Sequence, residues 1–122
     1  MIRAIATSAF LVLAAVSAQA ADSLTLAPKY DATGTNPDGS SYTGSVAIKV
    51  ISDTTFAIQW TIAGSVYKGF GMRRNDALAA TYMIEGEPGL IIYQLGDGGQ
   101  LNGLWAVRGQ NGNGSEKLTP AN

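Results

Sequence analysis

An all-β fold is what this sequence predicts: an antiparallel up-and-down meander closing into a small barrel of about eight strands, preceded by a signal peptide. Three observations carry that reading. From Tyr42 onward apolar residues recur at every second position, turn-forming pairs separate the alternating runs at short intervals, and helical spacing is absent after the first twenty residues.

Those first twenty residues read as an address. Met1-Ile2-Arg3 supplies a positive start, residues 4–16 are mostly apolar, and Ala18-Gln19-Ala20 has the small-residue pattern of a cleavage site. Cleavage after Ala20 leaves residues 21–122 as a single barrel-like domain, exported to the periplasm or secreted. The apolar run is too short and alanine-rich for a membrane span, and no later stretch is longer, so the mature chain is expected to have none. No cysteine is present to carry a lipid anchor or a disulfide.

The strands follow in order. A weak candidate covers Leu24–Tyr30, and alternation then marks Tyr42–Val50 and Phe56–Ile62. Further strands are expected at Val66–Arg73, Leu78–Ile84, Leu90–Leu95 and Leu101–Arg108, with a second weak candidate at Glu116–Leu118. Turn signals lie between them: Asn36-Pro37-Asp38-Gly39, Ser52-Asp53-Thr54, Ala63-Gly64, Asn75-Asp76, Glu85 to Gly89, Asp97-Gly98 and Asn111-Gly112.

Centring a turn on Ala63-Gly64 sets Trp60 opposite Tyr67, Ile58 opposite Gly69 and Phe56 opposite Gly71. Asn75-Asp76 then brings Tyr82 beside Gly69 and Ala80 beside Gly71. A two-residue turn at Asp97-Gly98 sets Leu90 opposite Trp105, Ile92 opposite Gly103 and Gln94 opposite Leu101. The shared face, with Val46, Ile48, Ile58, Trp60, Tyr82, Ile92 and Trp105, is the expected core. No helix is available to cover it, so the sheet must curl around it, with Gly44, Gly69, Gly71 and Gly103 permitting the bend. A small β-sandwich is the alternative.

Chemistry is scarce. With no histidine and no cysteine, histidine triads, thiolate nucleophiles and the usual zinc sites are excluded, and the chain is not expected to be an enzyme or to hold a metal or cofactor. Glu85 and Glu87 flank a turn, where solvated carboxylates are the ordinary finding. Asp97-Gly98-Gly99 and Asn36 to Gly39 are turn formers that lack the rest of a calcium loop, and Asn113-Gly114-Ser115 is read as a chance glycosylation triplet. A net charge of −1 gives nothing to attract nucleic acid.

Two surfaces remain for binding. The registers gather Phe70, Met83, Ile91, Tyr93, Leu95 and Leu104 on the outer face, bordered by Lys68, Arg74, Asn102 and Arg108, as an interface with a protein partner or a second copy would be. Alternatively, a terminal segment folds over that face. Inside, Trp60, Tyr67, Tyr82 and Trp105 either fill a packed interior or line a pocket for a small apolar ligand.

The order of motifs along the chain resembles a family. Gly34-Thr35-Asn36-Pro37-Asp38-Gly39-Ser40 with Tyr42 and Gly44, Ser52-Asp53-Thr54-Thr55 with Ile58 and Trp60, Gly89-Leu90-Ile91-Ile92-Tyr93, Asp97-Gly98, Gly103-Leu104-Trp105 and Gly114 to Pro120 are similar to small exported proteobacterial proteins labelled fibronectin-binding protein. The resemblance spans nearly the whole of 21–122. It implies binding to a matrix protein and supplies no binding residues. Members often carry cysteines where this chain has Phe56 and Gly71. The expected function is thus an exported, non-catalytic binding or adhesion module that uses its outer face. The alternatives are a lipocalin- or avidin-like carrier of a small apolar ligand, and a periplasmic inhibitor of a cell-wall hydrolase.

Overall fold

A computed structural model describes residues 26–121; the signal-peptide reading of residues 1–20 lies outside them. Eight strands follow one another: β1 (Lys29–Thr35), β2 (Ser41–Val50), β3 (Thr55–Ile62), β4 (Ser65–Arg74), β5 (Ala77–Ile84), β6 (Glu87–Leu95), β7 (Leu101–Val107) and β8 (Gly114–Pro120). Each pairs antiparallel with the next, and β8 returns to pair with β1, closing the barrel. Closure removes both sheet edges and gives every strand two partners. The meander and barrel expectations hold, and the sandwich is set aside. No helix among the described residues is long and apolar enough to cross a membrane.

Two-residue turns account for the registers that the sequence predicted correctly. Ala63 and Gly64 have φ of 53° and 83°, and Glu85 and Gly86 have 50° and 80°, the positive values that tight hairpins require. Phe56 accordingly pairs with Gly71, Ile58 with Gly69 and Trp60 with Tyr67. On the next strand, Tyr82 pairs with Gly69 and Ala80 with Gly71.

Two expectations need correction. Among the described residues the first strand runs over Lys29–Thr35, so residues 26–28 of the expected Leu24–Tyr30 strand lie outside it, while Leu24 and Thr25 lie outside the described residues. Its inward positions are Tyr30, Ala32 and Gly34, and the two small residues leave almost no hydrophobic alternation to read.

The second correction moves a whole strand face. The β6–β7 connection is not a two-residue turn at Asp97-Gly98; it is the five-residue loop 96–100, closed by the Gly96 N–H donating to the Gln100 carbonyl at 2.7 Å. Ile91 therefore pairs with Trp105, Tyr93 with Gly103 and Leu95 with Leu101. A slip of one residue exchanges the two faces of a strand. Tyr93 is 1% exposed and Ile91 is buried, Leu95 packs against the core, and Ile92, expected inside, is 55% exposed. Ile91, Tyr93 and Leu95 thus leave the outer surface predicted for them. Phe70, Met83 and Leu104 stay on it, joined by Met72, Leu90 and Ile92.

The interior is unequal along its axis. At the end marked by the β2–β3, β4–β5 and β6–β7 connections, Tyr30, Ile48, Phe56, Leu78, Leu101 and Leu118 are all buried and pack into one cluster. The Tyr30 hydroxyl there accepts a hydrogen bond from the Ala27 N–H at 2.8 Å, so the polar end of the plug is satisfied. The opposite end is lined by larger rings and is not filled.

Candidate ligand-binding cavity

At that opposite end a cavity of about 280 Å³ opens between Trp60, Tyr67, Tyr82 and Trp105, the four residues singled out in the sequence, together with Asn36, Tyr42, Ile62, Ala63, Ile84, Ile91 and Glu116. Its size sits near the lower limit for small-molecule sites. Trp60 and Tyr82 meet with ring centroids 5.2 Å apart at 60°, and Tyr42 meets Trp105 edge-on at 6.3 Å and 64°. Both contacts lie in the range where aromatic pairs attract beyond simple burial. The Trp105 indole N–H is held by the Ser115 carbonyl at 3.3 Å.

Glu116 is the residue that sequence reasoning missed. It is 4% exposed and lies between two glycines, Gly34 on β1 and Gly103 on β7. Across those glycines reach the side chains that pair with them one strand further on, Tyr42 over Gly34 and Tyr93 over Gly103. A Cβ at either glycine would strike the ring crossing it, so both positions must stay bare for the rings to reach Glu116. The Tyr42 hydroxyl donates to Glu116 Oε1 at 2.8 Å. The Tyr93 hydroxyl donates to Oε2 in a short hydrogen bond, and the Trp60 indole N–H points at both Oε2 and the Tyr93 oxygen, each at 3.1 Å. The carboxylate is thus buried with three donors, the arrangement that makes such burial tolerable. The available signal was parity: in Gly114, Glu116 and Leu118 the acid shares the inward phase.

The same carboxylate tunes the tyrosines. Burial, then the Glu116 charge and its hydrogen bond, raise Tyr42 and Tyr93 well above the ordinary phenol value. Burial and the same charge push Tyr82 up to about 12, and burial raises Tyr30. The native state therefore keeps protons that the unfolded chain releases. Stability from these groups is intact below a pH of about 10 and is lost as pH rises through the native values. Alkaline titration followed by tyrosinate absorbance and near-UV circular dichroism should show most of the absorbance rise coinciding with unfolding. An early, non-cooperative rise from a folded protein would contradict the assignment.

No family model matches the chain, and no curated protein matches it. Solved structures do share its fold. A redesigned β-barrel superposes with a TM-score of 0.65 at 20% identity, covering 84% of this chain and 96% of that one. A de novo designed fluorescence-activating β-barrel gives 0.60 at 14% identity, with 79% and 94% covered. EF1p2_mFAP2b bound to DFHBI gives 0.55 at 17% identity, with the same coverage of 79% and 94%. At these identities the likeness is one of architecture, and this chain takes its place among small closed antiparallel β-barrels.

Proposed function

We propose that the mature chain is an exported, non-catalytic carrier of a small, largely apolar molecule held in the open end of the barrel. The observation that carries this reading is the division of the interior: one end holds a buried apolar cluster, while the other keeps a cavity of about 280 Å³ walled by aromatic rings. Comparable barrels support it, since one is fluorescence-activating and another is bound to the small molecule DFHBI. Aromatic small molecules should quench the emission of Trp60 and Trp105 saturably at one per chain. Tyr82→Trp, which adds a ring system to the cavity wall, should weaken that quenching at least about tenfold, the loss expected when a ligand must displace a packed ring. Absence of saturable quenching across a panel of such molecules would refute the carrier reading.

A second reading rests on the outer face. Phe70 and Leu90 lie in one cross-strand row with Thr81 and Ala106, and Met72, Ile92 and Leu104 lie in the next with Ala79. Large residues on β4 and β6 thus flank small ones on β5, giving a ridged apolar surface. Such relief can interlock with a copy of itself about a two-fold axis, so the occupant proposed is a second copy of this chain. Ile92→Asp combined with Leu104→Asp should then convert a dimer to a monomer in analytical ultracentrifugation. A wild-type chain that sediments as a monomer at all concentrations would remove this reading.

A further inference from the structure

Glu116 brings a negative charge to the cavity wall, and no group of opposite sign shares that wall among the described residues. Its three donors are two phenols and an indole, all neutral, and neither lysine nor arginine lines the cavity. Of the four lone-pair sites on a carboxylate, one on Oε1 keeps no donor among the described residues. Hydrogen bonds disperse the charge without cancelling it, and apolar walls let its field act over longer distances than water would. Tyr82 shares that wall, and burial, then the Glu116 charge, raise its hydroxyl above the ordinary phenol value.

The aromatic lining supplies a second attraction for positive charge, because a cation seated over a ring face is drawn to it. Tyr42, Trp60, Tyr67, Tyr82 and Trp105 all border the cavity, and the face of an aromatic ring is the negative pole of its quadrupole. An anion would meet repulsion from both sources, and a neutral guest would gain only from burial. An organic cation gains from burial of its apolar body, and the rings and the carboxylate together offset the desolvation of its charge.

We infer that the cavity selects organic cations: a compact or flat apolar body bearing a protonated or quaternary nitrogen, with the charge directed toward Glu116 and the body against the rings. The inference rests on the carrier reading above and sharpens it to a ligand class.

Three probes of nearly the same shape test it on the intact mature protein by tryptophan quenching: benzyltrimethylammonium, its uncharged carbon isostere neopentylbenzene, and the anion phenylmethanesulfonate. The ammonium should bind at least about tenfold more tightly than the hydrocarbon, a gap in keeping with a cation desolvated against aromatic rings and a carboxylate. The sulfonate should not bind. In Glu116→Gln, checked for folding by near-UV circular dichroism, the ratio of ammonium to hydrocarbon affinity should fall to within about threefold. Equal or tighter binding of the hydrocarbon by the wild-type protein overturns the cation inference and leaves the carrier reading standing. Failure of all three probes to quench overturns both. The wild-type comparison decides the matter even if the variant does not fold.

Discussion

Tyr93→Asp is expected to leave the chain unfolded under conditions where Ile92→Asp, one residue away, folds normally. Tyr93 is 1% exposed and its hydroxyl donates to Glu116. Removing a buried ring of this size costs about 3–5 kcal/mol in lost burial and cavity formation. Placing a second carboxylate beside Glu116 then adds an uncompensated buried charge, which costs several kcal/mol more. The sum is of the order of the whole stability of a small domain, about 5–15 kcal/mol. Ile92, more than half exposed, should tolerate aspartate within about 1 kcal/mol. Urea unfolding of the two variants checks both halves of the expectation. If instead Ile92→Asp unfolded the protein and Tyr93→Asp did not, β6 would be one residue out of register and the inner face described here would be wrong.

Glu116→Leu should destabilise the barrel by about 1–3 kcal/mol and at the same time lower the tyrosine titration. The estimate is modest because not every donor is stranded. The Trp60 indole still has the Tyr93 oxygen at 3.1 Å, and the Tyr42 hydroxyl still has the Ser115 carbonyl at 3.3 Å. The Tyr93 proton is left with no acceptor among the described residues, and relief from burying a charge offsets part of that loss. The second readout is specific to charge. With the carboxylate gone, Tyr42, Tyr82 and Tyr93 lose one of the influences that raise them, so native and unfolded chains differ less in bound protons and stability should fall less steeply above a pH of about 10. A variant of equal or greater stability with an unchanged alkaline transition would show that Glu116 does not organise the interior.

How much of this was legible depended on turn chemistry. Strand β2 could be placed by its alternation, and β3 to β5 could be registered as well because Ala63-Gly64 and Asn75-Asp76 are tight turns between runs that alternate cleanly. Strand β6 defeats the same reasoning twice. Leu90, Ile91, Ile92 and Tyr93 are apolar in both phases, so period two is silent, and Gly96, Gly98 and Gly99 offer more than one place to turn. Choosing the shorter turn moved Ile91, Tyr93 and Leu95 to the wrong face.

For the site, sequence parity brought Trp60, Tyr67, Tyr82 and Trp105 to one interior, and they do border one cavity. What it could not supply was the space between them, which depends on how the closed end packs. Nor could it find Glu116. An acid on a short terminal strand looks solvated until β8 is known to close on β1, placing it between Gly34 and Gly103.

The claim that a small molecule occupies the open end of the barrel is tested most directly by chemical-shift mapping on isotope-labelled protein with the probe that quenches most strongly. The indole N–H signals of Trp60 and Trp105 and the amides around Tyr82 and Glu116 should move saturably, while Leu78, Leu101 and Leu118 at the packed end stay in place. Shifts confined to Phe70, Leu90, Ile92 and Leu104 on the outer face would contradict it.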